Sequence, residues 1–451
     1  MRTTSTPARA ALVVATVAVL GCAVVLAVIG SIPPEPPQLV RQEAAPPVEI
    51  DPTHPCTREA PAGQGAPPTE GGVEARFDPA QNAVVLSGGQ GVTLPALAQA
   101  VGNPDLLREE APGEWLLGAD LVLMPGTSVQ ISAPTTRWLK LLSTAERFAS
   151  VKSFGGGIDV TGACITSWDP ATGTVDTTVE DGRGFLLARD GAQMTIDGSE
   201  LRYLGFGAVE SYGLSWRTAG TTGKITNSVV SHNYFGLYSH EIDGLVVADN
   251  EFHDNHLYGI DPHTGSHNMT IERNVVHDNG KHGIILAEDC VDSVVRQNVV
   301  YRNHHHGIVL YLRSDRNTVE DNDTFANAAQ GINVNESHDN VIRGNRVYDN
   351  VESGIGITQT SKNNLVENNQ SRGNAQDGIR VVSEAALTTV RANALGENGR
   401  YGVYVDIDGD VDIAGNMIFA NRSGIMLKGS AVVPDDDNEI FGNHEAAVIA
   451  G

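Results

Sequence analysis

Asn274-Val275-Val276-His277-Asp278-Asn279-Gly280-Lys281-His282-Gly283-Ile284-Ile285-Leu286-Ala287 and, 24 residues on, Asn298-Val299-Val300-Tyr301-Arg302-Asn303-His304-His305-His306-Gly307-Ile308-Val309-Leu310-Tyr311 are two copies of one unit. Outward from this pair, the glycine recurs at Gly236, Gly259, Gly331, Gly354, Gly378, Gly402 and Gly424, at intervals of 22 to 24 residues. An asparagine precedes each glycine by three or four residues: Asn233, Asn255, Asn279, Asn303, Asn327, Asn350, Asn374, Asn398 and Asn421. A second series runs Asn227, Asn250, Asn274, Asn298, Asn322, Asn345, Asn369, Asn393 and Asn416. Periods of this length mark solenoids. Leucine is sparse and helix-period stripes are absent, which excludes leucine-rich and helical repeats. Short β-branched runs between Asn, Gly and Asp turns read as strands, three to a coil. Recurring asparagines can stack into a hydrogen-bonded ladder and tolerate left-handed turns. The expected fold is all-β, a right-handed parallel β-helix with coils of 22 to 24 residues and an N-terminal cap.

Strand side chains alternate, so register predicts which residues face out. The apolar residue after each glycine (Leu237, Ile260, Ile284, Ile308, Ile332) should point inward, as should the position two further on. The residues between them then point outward: Tyr238 and His240, Asp261 and His263, Ile285 and Ala287, Val309 and Tyr311, Asn333 and Asn335. The pre-glycine position adds the column Tyr258, His282, His306, and three before the glycine stand His256 and His304. The expectation is an exposed ionisable patch on adjacent coils, centred on Asn255-His256-Leu257-Tyr258-Gly259-Ile260-Asp261-Pro262-His263. Later coils carry Gln330, Ser353 and Asp377 in the pre-glycine column, so the cluster is local and not a property of the repeat.

The chain of 451 residues carries a formal charge of -25, which argues against a nucleic-acid partner. An anionic polymer would need local positive charge, and 11 of the 14 histidines lie between His232 and His306. Aromatic content of 5% and 49 glycines suit an Asn/Gly-rich β architecture over a helical bundle. The cysteines are Cys22, Cys56, Cys164 and Cys290, with no metal-type spacing. Two readings stand side by side: a Cys56–Cys164 bridge with Cys290 buried, or three unpaired thiols.

Residues 1–10 read as a cytoplasmic N-terminus with Arg2 and Arg9, and 11–30 as an uncharged run long enough to span a bilayer. A single-pass anchor with the body outside the cytoplasm is expected; a cleaved signal peptide or lipidation at Cys22 are the alternatives, giving a secreted or periplasmic protein. Residues 31–72 read as a Pro-rich solvated linker, 73–219 as a cap with a short helical stretch from Leu94 to Leu107 and the first coils, and 220–451 as the regular β-helix.

A shallow groove along a β-helix suits a linear polymer. His, Tyr and Asp beside Lys281 suit proton abstraction next to a carboxylate. The carboxylate must be neutralised, a base must reach the proton, and a donor must follow. A donor on the opposite face gives epimerisation; protonation of the departing O4 gives β-elimination. No redox cofactor is expected; Asp261 and His263 could take a cation such as Ca²⁺, but no ligand spacing demands one.

Tyr258-Gly-Ile-Asp-Pro-His263 resembles the YG-[FI]-DPH signature of the mannuronan (alginate) C5-epimerases, of the periplasmic type that acts during alginate export. Glu210-Ser-Tyr-Gly-Leu-Ser-Trp216, Gly236-Leu-Tyr-Ser-His-Glu241, Lys281-His-Gly-Ile-Ile285, Arg137-Trp-Leu-Lys-Leu-Leu-Ser143 and Thr166-Ser-Trp-Asp169 are similar as well, so the resemblance covers roughly residues 90 to 430. It implies His256 as base, Tyr258, Asp261 and His263 as partners in proton transfer and substrate grip, and Lys281 as the cation for the uronate carboxylate. His282, His304, His306, Tyr311 and Tyr238 are the expected substrate-binding side chains, on a monomer acting on a linear polyuronate. The chain departs from the signature at Thr264, where the family carries an acid, and in the triple His304-His305-His306. A polysaccharide lyase and a non-catalytic carbohydrate-binding solenoid are the rival readings.

Overall fold

A computed structural model describes residues 35–47, 49–58, 69–429 and 435–451. The chain divides into two compact units, Met1–Gln38 and Leu39–Gly451. Only 35–38 of the first are described, so the apolar run 11–30 lies outside the described residues. Among those described, no helix is long and apolar enough to cross a membrane.

The second unit winds into three long sheets, of sixteen, thirteen and seventeen described strands, so that each coil gives about one short strand to each sheet. From Asp120–Leu123 onward the first sheet is parallel throughout, with successive strands in register: Leu237 beside Ile260, Ile260 beside Ile284, Ile284 beside Ile308, Ile308 beside Ile332. These residues are fully buried, as the alternation requires. An antiparallel hairpin, Glu70–Asp78 with Ala83–Gln90, and the helix Leu94–Val101 close the N-terminal end. Thr93 caps that helix and Gly102, at φ 63°, ends it, so the helix is shorter than the stretch Leu94 to Leu107.

The two asparagine series become two buried ladders. Asn255 donates from its backbone N–H and from Nδ2 to Oδ1 of Asn279, Asn279 does so to Asn303, and the pattern repeats to Asn443. Asn227 is a correction: it sits in the left-handed region and outside its ladder, and Ser228 makes the bond to Asn250 instead. Within the ladders the left-handed turn is taken by the residue before the asparagine, as at Asp254 (φ 52°) and Asp278 (φ 53°). The repeat glycines serve close approach. A Cβ on Gly259 would meet Val276 Cγ1 at 2.6 Å and the Gly283 carbonyl at 2.7 Å.

The expected linker needs a second correction. The described residues Leu39–Pro47 and Glu49–Arg58, with a turn at Asp51–His54, lie along the outside of the third sheet. Gln42 N–H donates to Tyr348 Oη, Ala45 N–H to Tyr301 Oη, and Thr57 and Arg58 N–H to Glu200. Cys56 is disulfide-bonded to Cys164 with Cα atoms 5.9 Å apart, and Cys290 is a buried free thiol.

Candidate active site

The strand Ile260–His263 places Ile260 and Pro262 inward and Asp261 and His263 on the outer face of the first sheet. In register beside them stand Tyr238 and His240 on one side and Ala287 on the other. A groove of about 400 Å³ opens over this face. It is lined by Tyr258, Asp261, His263, Lys281, His282, His305, His306, Tyr311, Asn333 and Asn335, with Ile285, Ala287 and Val309 as an apolar strip.

Lys281 Nζ donates to Tyr258 Oη at 2.8 Å, so the one lysine of the groove and its tyrosine form a pair at the rim. The rings of Tyr258, His282 and His306 stack coil on coil, with centroids 5.4 and 5.3 Å apart and planes within 8°. His305 meets His282 and His306 edge-on.

The patch is less exposed and less charged than expected. Asp261 is 1% exposed, and neither carboxylate oxygen has a hydrogen-bond partner. Burial therefore holds its carboxyl well above the usual range, against a weaker pull from Lys281. Burial likewise pushes His282 down to about 2 and His306 to about 3, with neighbouring histidines adding to the effect. His306 Nδ1 accepts from Gln330 N–H at 3.1 Å, so its proton sits on Nε2. These rings are neutral walls, and the positive charge of the groove comes from Lys281.

His263 is lowered by burial too. Its Nδ1 lies 2.7 Å from Thr264 Oγ1 and 3.0 Å from Thr264 N. Thr264 Oγ1 donates to Glu288 at 3.1 Å, and Glu288 stands 3.8 Å from His263 Nδ1. The carboxylate missing after the motif is thus supplied from the next coil, which a reading along one coil does not find.

The structure brings Tyr258, Asp261, His263, Lys281, His282, His306 and Tyr311 to one groove. It leaves three expected residues off the lining. His256 is exposed and stacks on Tyr234 at 5.3 Å; His304 is exposed on the adjacent turn; Tyr238 is buried beneath, stacked on His263 at 5.6 Å. Residues that the sequence did not single out are Glu288 and Arg217; His305, noted there only as part of the triple, lines the groove. Arg217 lies two coils before His263 in the same outer column, over the Tyr238 ring, with Nη1 unpartnered. Its signal was the alternation in Gly213–Arg217, hidden by the irregular coil around it. Among the described residues no group of three or more His, Cys, Asp or Glu is arranged to hold a metal ion.

A family profile described as the right handed beta helix region matches residues 156–324, 285–395 and 324–451. The chain belongs to the right-handed beta helix family. Part of this β-helix is similar to the mannuronan C5-epimerase of Pseudomonas aeruginosa, with 30% identity over 196 residues, 40% of this chain and 35% of that protein. It is also similar to the mannuronan C5-epimerase AlgG of Azotobacter vinelandii, with 28% identity over 206 residues, 43% of this chain and 38% of that protein. The aligned stretch spans little more than a third of these relatives' length. Among solved structures, the β-helix resembles the periplasmic alginate epimerase AlgG with a TM-score of 0.65 at 22% identity, covering 90% of this chain and 100% of the other. That likeness is one of fold.

Proposed function

We propose that this chain is a C5-epimerase of a β-1,4-linked polyuronate, converting mannuronate to guluronate residues. The observation that carries the reading is Asp261: a buried carboxyl without a protein hydrogen-bond partner, on the floor of a groove beside the Lys281–Tyr258 pair. A carboxyl kept protonated by burial is a hydrogen-bond donor. A uronate seated above it would receive that donor and the Lys281 charge at its C6 carboxylate. Both contacts strengthen as the C5–H bond breaks and its electron pair moves toward C6, giving an enediolate. A proton returned to C5 on the opposite face completes inversion. No bond in the chain is cut, and nothing is oxidised.

Two edges of the groove supply the proton transfers. His256 and Tyr258 belong to the turn before the strand. The resemblance gives the base to His256, and Tyr258 is the group at that edge that lines the groove. His263 serves the other edge. The names of the similar proteins support mannuronan as substrate. The Cys56–Cys164 disulfide supports a place outside the cytoplasm.

Polymannuronate incubated with the protein in deuterated water tests this by proton NMR. Guluronate signals and C5 deuterium are expected, without the ultraviolet absorbance of an unsaturated uronate. Absence of both guluronate and deuterium would falsify the reading, and an absorbance rise would replace it with a lyase. His256→Ala and Tyr258→Phe, assayed separately, identify the base: its loss should slow deuterium uptake on the order of 10²- to 10⁴-fold.

A further inference from the structure

The outer face of the first sheet continues past the groove. Its central column runs Asn333, Gly356, Arg380, Tyr404 in register, and the neighbouring column runs Tyr311, Asn335, Thr358. Between Val309 and Arg380 the face therefore carries only amides, hydroxyls and a glycine. Asn335 Nδ2 donates to Thr358 Oγ1 at 3.1 Å, and the Gln330 amide, accepting from Asn333 Nδ2, lies over Gly356. This is a flat, uncharged track.

At the far end of the track the chemistry changes. Arg380 lies over the Tyr404 ring at 4.5 Å, Arg400 over Tyr401 and Tyr404 at 5.3 and 5.4 Å, and Lys428 over Tyr404 at 5.4 Å. Asp377, fully buried, holds both guanidinium groups from below: Arg380 Nη1 at 3.1 Å and Arg400 Nε at 3.5 Å. Tyr404 Oη donates to Asp406 at 2.7 Å. Three cations thus converge against two acids, fixed in position by rings and by one buried carboxylate, in a chain whose formal charge is -25. Arg400 faces Asp377 of the preceding coil and Lys428 lies in register beside Asp406, as Arg273 faces Asp249 and Arg313 faces Asp289, but here Arg380 shares the same Asp377 and all three cations meet over one ring, Tyr404.

The geometry points to a distal subsite: Arg380, Arg400 and Lys428, mounted on Tyr401 and Tyr404, bind carboxylates of the same anionic polysaccharide whose reacting sugar lies over Asp261. The inference rests on the polyuronate reading of the groove. Asp261 and Tyr404 stand six coils apart in one column, about 29 Å at the strand spacing. A 1,4-linked hexuronate advances by about one coil per sugar, so a chain of roughly six or more sugars is needed to reach both ends. Long polymers engage two sites, whereas short ones engage only the groove.

The test compares the wild-type chain with the double variant Arg380→Ala/Arg400→Ala. Tetramannuronate and long polymannuronate are the substrates, read by C5 deuterium uptake and by binding of the long polymer. For the wild type, KM per chain is expected to be roughly tenfold or more lower on the long polymer than on the tetramer. The double variant should lose that advantage and keep the tetramer kinetics, while melting earlier than the wild type because Asp377 is left buried without its two partners. Lys428→Ala should weaken polymer binding in the same direction without the arginine changes. An active wild type whose length preference survives in the folded double variant overturns the subsite and leaves the epimerase reading standing. A wild type without deuterium uptake that still binds the long polymer, through Arg380 and Arg400, overturns the epimerase reading and supports the subsite. A wild type that does not bind the polymer overturns both.

Discussion

At the scale of the residue, the proposed reaction turns on the state of Asp261. It lies in an outward-facing column beside Tyr238, it is buried, and no protein donor meets its oxygens. Burial disfavours ionisation there and raises the carboxyl well above the usual range. The folded state holds more protons at this site than the unfolded chain does, so stability is greatest below the ordinary carboxylate range and falls as pH rises toward the raised folded value. Asp261→Asn removes that titration while keeping the shape and a donor. Its melting temperature should exceed that of the wild type at neutral pH and match it near pH 4, as thermal melts across that range would report. On activity, Asp261→Ala should cost on the order of 10²- to 10³-fold in kcat, as for loss of one preorganised donor, and Asp261→Asn less. Equal losses in both variants would mean that the proton on Asp261 does not serve as a donor. The motif around Asp261 was legible in sequence because it breaks its own repeat. Its protonation was not, because burial depends on neighbours 23 and 24 residues away.

At the scale of the element, each coil is too short to hold itself, and the asparagine ladders convert stacking into specificity. Asn350 shows the accounting. It is buried, accepts from both the N–H and Nδ2 of Asn327, and donates to Thr324 O, Tyr348 O and Asn374 Oδ1. Asn350→Ala strands several buried polar groups at once, each worth about 1–3 kcal/mol when unpaired. A loss of at least about 2 kcal/mol is expected, visible as an earlier urea midpoint. Asn350→Asp should do no better, since it keeps the acceptor, loses the donors and buries a charge. The ladders and the inward columns were readable in the sequence because they recur with the coil period. Asn227 misled because it keeps the spacing within one residue, and a shift of one residue turns a strand side chain to the opposite face. The groove walls His282 and His306 were visible as a column. Their neutrality was not, since it follows from stacking against each other under a covering of neighbours.

At the scale of the whole molecule, the segment Leu39–Arg58 shows how composition misleads. Its prolines and lack of periodicity read as solvated spacer, and nothing local says otherwise. What receives it is assembled from distant coils. His253, His277, Tyr301, Phe325 and Tyr348 stack at 4.7 to 5.2 Å along the third sheet, an aromatic spine that would expose apolar rings to water. Leu39 packs against Tyr301, Phe325 and Tyr348, while Arg41 pairs with Asp349 at 2.7 Å. The strap thus runs from the coil of Asp349 back to Cys164, opposite to the winding, and the disulfide fixes its far end. Closing the 108-residue separation between Cys56 and Cys164 limits the unfolded chain, worth up to about 4–5 kcal/mol in the chain-entropy account. Cys56→Ser should therefore lower the unfolding midpoint while leaving deuterium uptake at C5 intact, because the groove lies on the first sheet and the strap on the third. Hydrogen exchange separates this from a loose tail. The Gln42 and Ala45 amides, bonded to Tyr348 and Tyr301, should exchange slowly in the disulfide form and faster in the variant. Fast exchange of both amides in the wild type would show that the strap does not hold the spine.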